Sequence, residues 1–506
     1  MFIRQKKNNT GTISVQVIDK SSGKYKVVKT IGSSLDKNLI SELVAQGKQY
    51  ILKQTKQSTL DFTLGDDRHF YNTVYENIQS IQLLGPELIL GKIFDEIGFN
   101  QIRDELFRHL VIARLIYPVS KLKTLDYLRK YKGIVYEKDK LYRYLDKLHK
   151  EQIALAQQIS YNHTVKILKA DTTIVFYDVT TLYFETEDED DLRKTGFSKD
   201  GKHQQPQIVL GLLVSRGGYP LDYEIFEGNK FEGHTMLPVI EAFKKKHQLP
   251  QLIIVADAGL MSNKNIEQLL AGNYEFIIGA RIKNETQQLQ QQILSRTLND
   301  AESLSLNKGN NLRLIISYSN GRARNDEYNR KRGLLKLERA LHKGKLRKQH
   351  INNKGYNKYL KLTGDIHIEI DYEKFNTDKK WDGLKGYITN TRLDKEMVID
   401  HYKQLWNIEQ TFRISKTDLR IRPVYHYLKR RIEAHICIAF VACKIYKELE
   451  RQLKEKKSTL SSEKAIDILK TIYGINLKLP QSKQTRLMLL DKTQDQKDIL
   501  SLFNIV

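Results

Sequence analysis

Residues 174–184, IVFYDVTTLYF, are β-branched and aromatic almost throughout, the composition of a buried strand, yet Asp178 stands in their middle. An ionised carboxylate buried without a partner is very costly, so a metal, a cation or hydrogen bonds must answer it. The residues that follow supply the rest of a sheet. QIVLGLLVSRGGYPLDYEIFEGN, 207–229, reads as two further strands joined through the turn SRGGYP, which makes an antiparallel meander of three. MLPVIEAFKKKH, 236–247, reads as a helix. QLIIVAD, 251–257, is a near-continuous apolar strand of the kind covered on both faces, and it ends in a second acid, Asp257. A turn and helix, AGLMSNKNIEQLL, lead to a fifth strand, YEFIIGA, at 274–280.

The order β, β, β, α, β, α, β is that of an RNase H-like core with a mixed sheet, and residues 401–416, HYKQLWNIEQTFRISK, add a helix to it. Wound at about 100° per residue, this stretch sets Tyr402, Glu409 and Lys416, seven apart, in one line with Arg413. Leu405, Ile408, Phe412 and Leu419 form a neighbouring apolar stripe that packs on a sheet. A solvated face beside a core face explains such a helix in isolation. Taken with Asp178 and Asp257, however, Glu409 completes an oxygen-rich set suited to hard cations such as Mg²⁺ or Mn²⁺. Two such ions, about 4 Å apart, serve phosphoryl transfer by activating the attacking oxygen and stabilising the leaving one.

The charge balance points to a polyanion. Of 506 residues, 84 are Lys or Arg against 60 Asp or Glu, a net +24, which favours nucleic acid through counterion release. Residues 322–360 hold thirteen Lys and Arg against Asp326, Glu327 and Glu338, a net +10 with Tyr328, Tyr356 and Tyr359 interleaved. That pattern fits a surface that tracks phosphates and stacks on bases, with Arg330, Lys331, Arg332, Arg347 and Lys348 as expected DNA contacts. A membrane partner is the weaker expectation: no apolar run nears the ~18 residues of a span, and no signal peptide is read at the start. Cys437 and Cys443, the only cysteines, read as small core residues of one helix, consistent with a reducing cytoplasm.

The remaining segments fill in a domain plan. Residues 1–70 are expected to hold a basic β-hairpin (12–32) and a helix, either a DNA-binding arm or a plain solvated hairpin. Residues 71–168 are helical; within them 111–131 has the outline of a helix-turn-helix, with Ser120 as cap and Lys121, Lys123, Arg129 and Lys130 on the second helix, although a small bundle is the default. The core occupies 169–280 and 392–453, interrupted by a basic, partly β insertion at 281–391. Its last helix, 430–453, reads as amphipathic, and 454–506 as a polar, mostly helical tail. The acidic run at 185–191, ETEDEDD, reads as a solvated loop.

YDVTTLYFE, GLLVSRGGYPLDYEIFEGNKFEGHT, VADAGLMS and YKQLWNIEQTFRISK together resemble the bacterial insertion-sequence transposases with a DDE triad, and more narrowly the lineage with a Tyr, Arg, Glu, Lys signature on its last catalytic helix. The resemblance runs over about residues 173–427. It implies Asp178, Asp257 and Glu409 as ligands of two Mg²⁺ or Mn²⁺ ions, and Tyr402 and Lys416 as contacts with the transposon end. Leu405 stands where the signature has arginine; packing is its expected role, with Arg413 taking over the phosphate contact. Glu232 is either support for the site or a loop acid, and Trp381 and Trp406 either core residues or platforms for an unpaired base. The implied function is cut-and-paste transposition: binding of element ends, metal-dependent strand cleavage and strand transfer into target DNA, by a homodimer in the cytoplasm at the nucleoid, with no small-molecule substrate. A DNA-binding protein derived from a transposase, or an RNase H-like nuclease or resolvase, is the alternative. A tyrosine recombinase using His426, Lys429 and Tyr446 leaves Asp178 unexplained.

Overall fold

Side-chain alternation along the strands sets the layers of this protein. The computed structural model describes residues 1–55, 75–169, 173–198, 201–260, 262–363, 367–479, 482–490 and 492–505; the expected domain boundary at residue 70 lies outside them. Two units separate, Met1–Asn77 and Ile78–Val506. In the first, β1 (Phe2–Lys7), β2 (Ile13–Asp19) and β3 (Lys26–Ser34) form an antiparallel sheet, followed by the helix Lys37–Thr55. The expected hairpin thus gains a third strand, one whose residues are mostly polar and exposed and so give little periodic signal.

The second unit opens with β4 (Ile78–Leu83) and helices, and then builds one eight-stranded mixed sheet. Its strands are β5 (Ile174–Tyr183), β6 (Gln207–Ser215), β7 (Pro220–Glu227), β8 (Ile253–Ala256), β9 (Glu275–Ala280), β10 (Ser303–Gly309), β11 (Leu312–Tyr318) and, after the β12 (Leu360–Thr363) and β13 (His367–Ile370) hairpin, β14 (Leu384–Thr389). They lie in the order β10-β11-β14-β9-β8-β5-β6-β7. β5, β6 and β7 pair antiparallel as the meander requires, while β5–β8 and β8–β9 are parallel. Val175, Tyr177 and Val179 face one side, with Ile254, Ala256, Phe276 and Ile278, beneath the helices Met236–His247 and Asn263–Ala271. Phe176 and Leu182 face the other, with Val255 and Ile277, beneath the helices Trp406–Arg413 and Lys429–Glu455.

Four expectations need correction. The insertion is not a separate β domain, because β10, β11 and β14 extend the core sheet; only the helix Asn320–His342, the β12–β13 hairpin and the helix Tyr372–Asp378 enclose a small core of their own around Leu337, Tyr359, Leu360, Ile370 and Phe375. The helix Lys429–Glu455 is not amphipathic through its centre: residues 434–449 are all buried, as they must be in a helix surrounded by sheet and helices. Residues 454–506 are not a helical tail. β15 (Tyr473–Lys478) pairs with β4 and with β16 (Thr485–Leu489), and Ala465, Leu469, Ile499 and Phe503 enter the main core. Finally, the helix-turn-helix outline is part of that core as well. The helix Glu105–Ile116 buries Leu106, Phe107 and all of 110–116, and although Ser120 caps Lys121–Tyr127 as expected, Lys121 is buried.

Candidate active site

Parallel pairing sets Tyr177 of β5 opposite Ala256 of β8, so the next residues, Asp178 and Asp257, stand side by side on one face of the sheet, about 4.8 Å apart in backbone. Both carboxylates are engaged. Asp178 Oδ1 accepts from the amide of Val179 at 2.8 Å, and Asp257 Oδ1 accepts from the hydroxyl of Tyr402 at 2.9 Å. Tyr402 is buried; burial first, and then the negative charge of Asp257, push its phenol far above the ordinary value, so it remains a donor. Its ring lies edge-on to Tyr387, centroids 4.8 Å apart, and Lys385 Nζ sits 4.5 Å from its centroid. Burial, then Arg322, lowers the Lys385 ammonium, while Asp257 and Glu409 pull it upward. Lys385 therefore senses two of the three acids at once.

Gly279 of β9 makes room for this arrangement, since a Cβ there would overlap the Tyr402 hydroxyl and lie 3.1 Å from the amide nitrogen of Ala258. Sequence reasoning missed Gly279, Lys385 and Arg322 as site residues. The glycine inside YEFIIGA was the available signal, because a glycine in a strand interior marks close approach of another group.

The helix carrying Glu409 is not the continuous one expected over 401–416. One helix ends at Lys403, Gln404 and Leu405 form a turn, and Trp406–Arg413 starts anew before a π-type turn at Ile414–Asp418. Tight bonds make the break: Gln404 N donates to His401 O at 3.1 Å and Leu405 N to Tyr402 O at 3.1 Å. The seven-residue line through Tyr402, Glu409 and Lys416 therefore does not exist. Tyr402 turns inward to Asp257, while Glu409 and Arg413 are exposed on the next helix. The apolar stripe does hold: Leu405, Ile408, Phe412 and Leu419 are all buried. Lys416 is half-buried in the π-type turn.

Around Asp257, the side chains of Arg281, Lys283, Arg322, Lys385 and Tyr402 line an open cleft of about 510 Å³. A second cleft of about 480 Å³ shares Lys283 and Arg322 with it and continues along the helix Asn320–His342 to Tyr356. Of the expected DNA contacts, Lys331, Arg332, Arg347 and Lys348 are exposed, but Arg330 is only 8% exposed, in the wall of the second cleft. It is ion-paired with Asp382 and lies 4.9 Å from the centroid of the Phe375 ring, so it braces the insertion. Trp381 is a core residue, whereas Trp406 is 56% exposed at the start of the Glu409 helix. Glu232 lies in a short turn, Glu232–His234, that packs against the Ala258–Leu260 turn following Asp257. The acidic run folds on itself, Asp190 holding Arg193 at 2.7 Å and Glu189 the amide of Thr195 at 2.6 Å. Cys437 and Cys443 are buried free thiols. Among the described residues, no three His, Cys, Asp or Glu side chains gather closely enough to hold a metal ion. Asp178, Asp257 and Glu409 share a face without forming a closed metal cluster, and Oδ1 of each aspartate is held, by the Val179 amide and by the Tyr402 hydroxyl.

Sequence comparison reaches the same region of the chain. A transposase for insertion sequence element IS231E, from Bacillus thuringiensis subsp. finitimus, is 30% identical over 122 residues, which is 22% of this chain and 26% of that protein. The chain therefore spans about a quarter of the length of that relative. Among solved structures, a piggyBac transposase synaptic complex with hairpin DNA aligns over 77% of this chain and 79% of its own at 10% identity and a TM-score of 0.38. A Mos1 transposase paired-end complex with left transposon end aligns over 46% and 66% at 14% identity and a TM-score of 0.16. Within the described residues, no helix is long and apolar enough to cross a membrane. The model of the transposase DDE domain matches residues 169–443, more than half of the chain and the whole stretch from β5 to the buried helix, so the chain belongs to the DDE-domain transposases.

Proposed function

We propose that this transposase binds the ends of its insertion sequence, cleaves their strands with the help of two Mg²⁺ or Mn²⁺ ions, and transfers them into target DNA from an RNase H-like core. The observation that carries the reading is the β5–β8 register, which sets two aspartates side by side beneath the helix that bears Glu409. Three carboxylate groups form a hard-oxygen donor set suited to such ions. Bound there, the ions would activate the attacking oxygen and stabilise the leaving one. Asp178, Asp257 and Glu409 would hold them. Tyr402 fixes the orientation of Asp257 through its hydroxyl, and Lys385 and Arg322 place positive charge beside the acids where a scissile phosphate would lie. The cleft that continues past Arg322 toward Tyr356 offers cations to the flanking strand, with Arg332 on its wall and Lys331, Arg347 and Lys348 outside it. Arg413 and Lys416 follow Glu409 toward the same DNA end. The catalytic form is a homodimer on paired ends.

Strand cleavage of a duplex carrying the element's end tests this. Glu409→Gln keeps the exposed helix intact and removes one anionic donor, so nicking with Mg²⁺ should stop while end binding in chelator stays near wild type. Tyr446→Phe should cut normally. Cleavage that survives both chelation and Glu409→Gln would sink the assignment.

A further inference from the structure

A second cavity, of about 550 Å³, lies where the turn Pro118–Lys123 meets the segment Arg420–His426 and the start of the long helix. It shares no lining residue with the cleft at Asp257. Its walls carry Arg114, Lys121, Arg420, Arg422, His426 and His435, and no Asp or Glu lines it. Two of these cations are almost wholly withdrawn from solvent: Arg114 and Lys121 are each 4% exposed. Lysine and arginine are rarely buried to this degree without an acidic partner, since a buried, uncompensated charge costs several kcal/mol.

Neither has such a partner among the described residues. Arg114 Nη1 makes only long bonds to the carbonyls of Leu419 and Arg420, at 3.4 and 3.5 Å. The Lys121 ammonium has no hydrogen bond or ion pair with any described residue. The imidazoles sharpen the imbalance. His435 Nε2 lies 2.9 Å from the carbonyl oxygen of Ile421, its Nδ1 is buried without a partner, and its ring is 5.6 Å from that of His426. Burial disfavours the charged form of Arg114, and burial followed by the neighbouring cations disfavours that of Lys121, His426 and His435; the Ile421 carbonyl pulls His435 the other way, and no carboxylate opposes the shift in any of the four.

We propose that this cavity is a binding site for a phosphate group, held by Lys121 and Arg114 at its base and by Arg420 at its rim. An anion with several acceptor oxygens supplies the charge and the hydrogen-bond acceptors that the walls lack, and guanidinium and ammonium groups are the usual partners of phosphate. The source is either a phosphodiester of bound DNA or a free phosphate. A halide would meet the charge but only part of the hydrogen-bonding demand.

The test uses the full-length protein and inorganic phosphate, with chloride adjusted to keep ionic strength constant. Phosphate should raise the Tm of the wild type saturably. Lys121→Met, which keeps the shape and removes the charge, should lose that rise without a lower Tm in phosphate-free buffer, because it deletes an uncompensated cation. Arg420→Gln, at an exposed position, should keep the rise but need several-fold more phosphate. Competition then identifies the source: if the occupant is a DNA phosphodiester, phosphate will displace a duplex from the wild type beyond the effect of chloride, and not from Lys121→Met. If displacement is equal in both proteins, the cavity holds free phosphate. A Tm indifferent to phosphate in the wild type, or a full phosphate response in Lys121→Met, would overturn the proposal.

Discussion

Replacing Tyr402 by Phe removes one hydroxyl from beside Asp257 and leaves the buried ring against Tyr387 and Lys385. The bond removed is a short one, at 2.9 Å, from a buried donor to a carboxylate. Hydrogen bonds to charged groups contribute about 1.5–3 kcal/mol. Removing the outer partner of a metal-binding side chain typically costs about 10–100-fold in metal affinity. At about 1.4 kcal/mol per factor of ten, the two ranges coincide, so the effect should be seen mainly in how tightly the aspartates hold a cation. The assay is cleavage of an end duplex over a series of Mg²⁺ concentrations, with end binding measured separately in chelator. Tyr402→Phe should shift the half-maximal Mg²⁺ concentration up by about 10–100-fold, restore near wild-type cleavage at saturating metal, and leave binding in chelator unchanged. An unchanged Mg²⁺ dependence with weakened end binding would refute this reasoning and return Tyr402 to the DNA-binding role that its family signature implies.

Gly279→Ala should reproduce the Mg²⁺ shift of Tyr402→Phe and also lower stability by about 1–3 kcal/mol in urea unfolding, because the new methyl overlaps the hydroxyl. Neutralising Lys331, Arg332, Arg347 and Lys348 together should flatten the dependence of log K on log salt, by roughly 0.9 for each DNA phosphate that these side chains neutralise in the wild type. Arg330→Gln should instead destabilise the protein by about 3–5 kcal/mol, as it strands the Asp382 carboxylate. Lys444 is fully buried and bonded to Thr164, and burial pushes its ammonium down to about 7 from an ordinary value of 10.5. The unfolded chain therefore binds the extra proton between these values, so Lys444 lowers stability progressively as pH falls from 10.5 through 7. Lys444→Met should raise the urea midpoint more at pH 7 than at pH 9, leaving Thr164 bonded to Ser160; an equal change at both pH values would refute it.

Asp178 and Asp257 are legible in the sequence because a carboxylate within, or at the end of, an apolar run contradicts its surroundings, and the strand order then sets them on neighbouring strands. The apolar stripe of Leu405, Ile408, Phe412 and Leu419 is legible for the complementary reason, since four large apolar residues on one face have one place to go. The break at Gln404–Leu405 carries no such mark: neither Pro nor Gly stands there, and helical periodicity runs straight through it. Tertiary demand produces it, for Tyr402 must reach Asp257 at the end of β8 while Ile408 and Phe412 pack on the face of β5, and no straight helix meets both. Cation counts meet the same limit. The run at 322–360 announces a polyanion but does not say that Arg330 turns inward, because its partner, Asp382, lies 52 residues further along. Lys121, read from the sequence as a surface residue of a DNA-reading helix, is buried at the wall of a cavity that it shares with Arg114, His426 and His435, the last two far along the chain. A basic chain thus advertises its partner through composition, while the division of its cations between grip, brace and pocket is made by tertiary contacts that composition does not record.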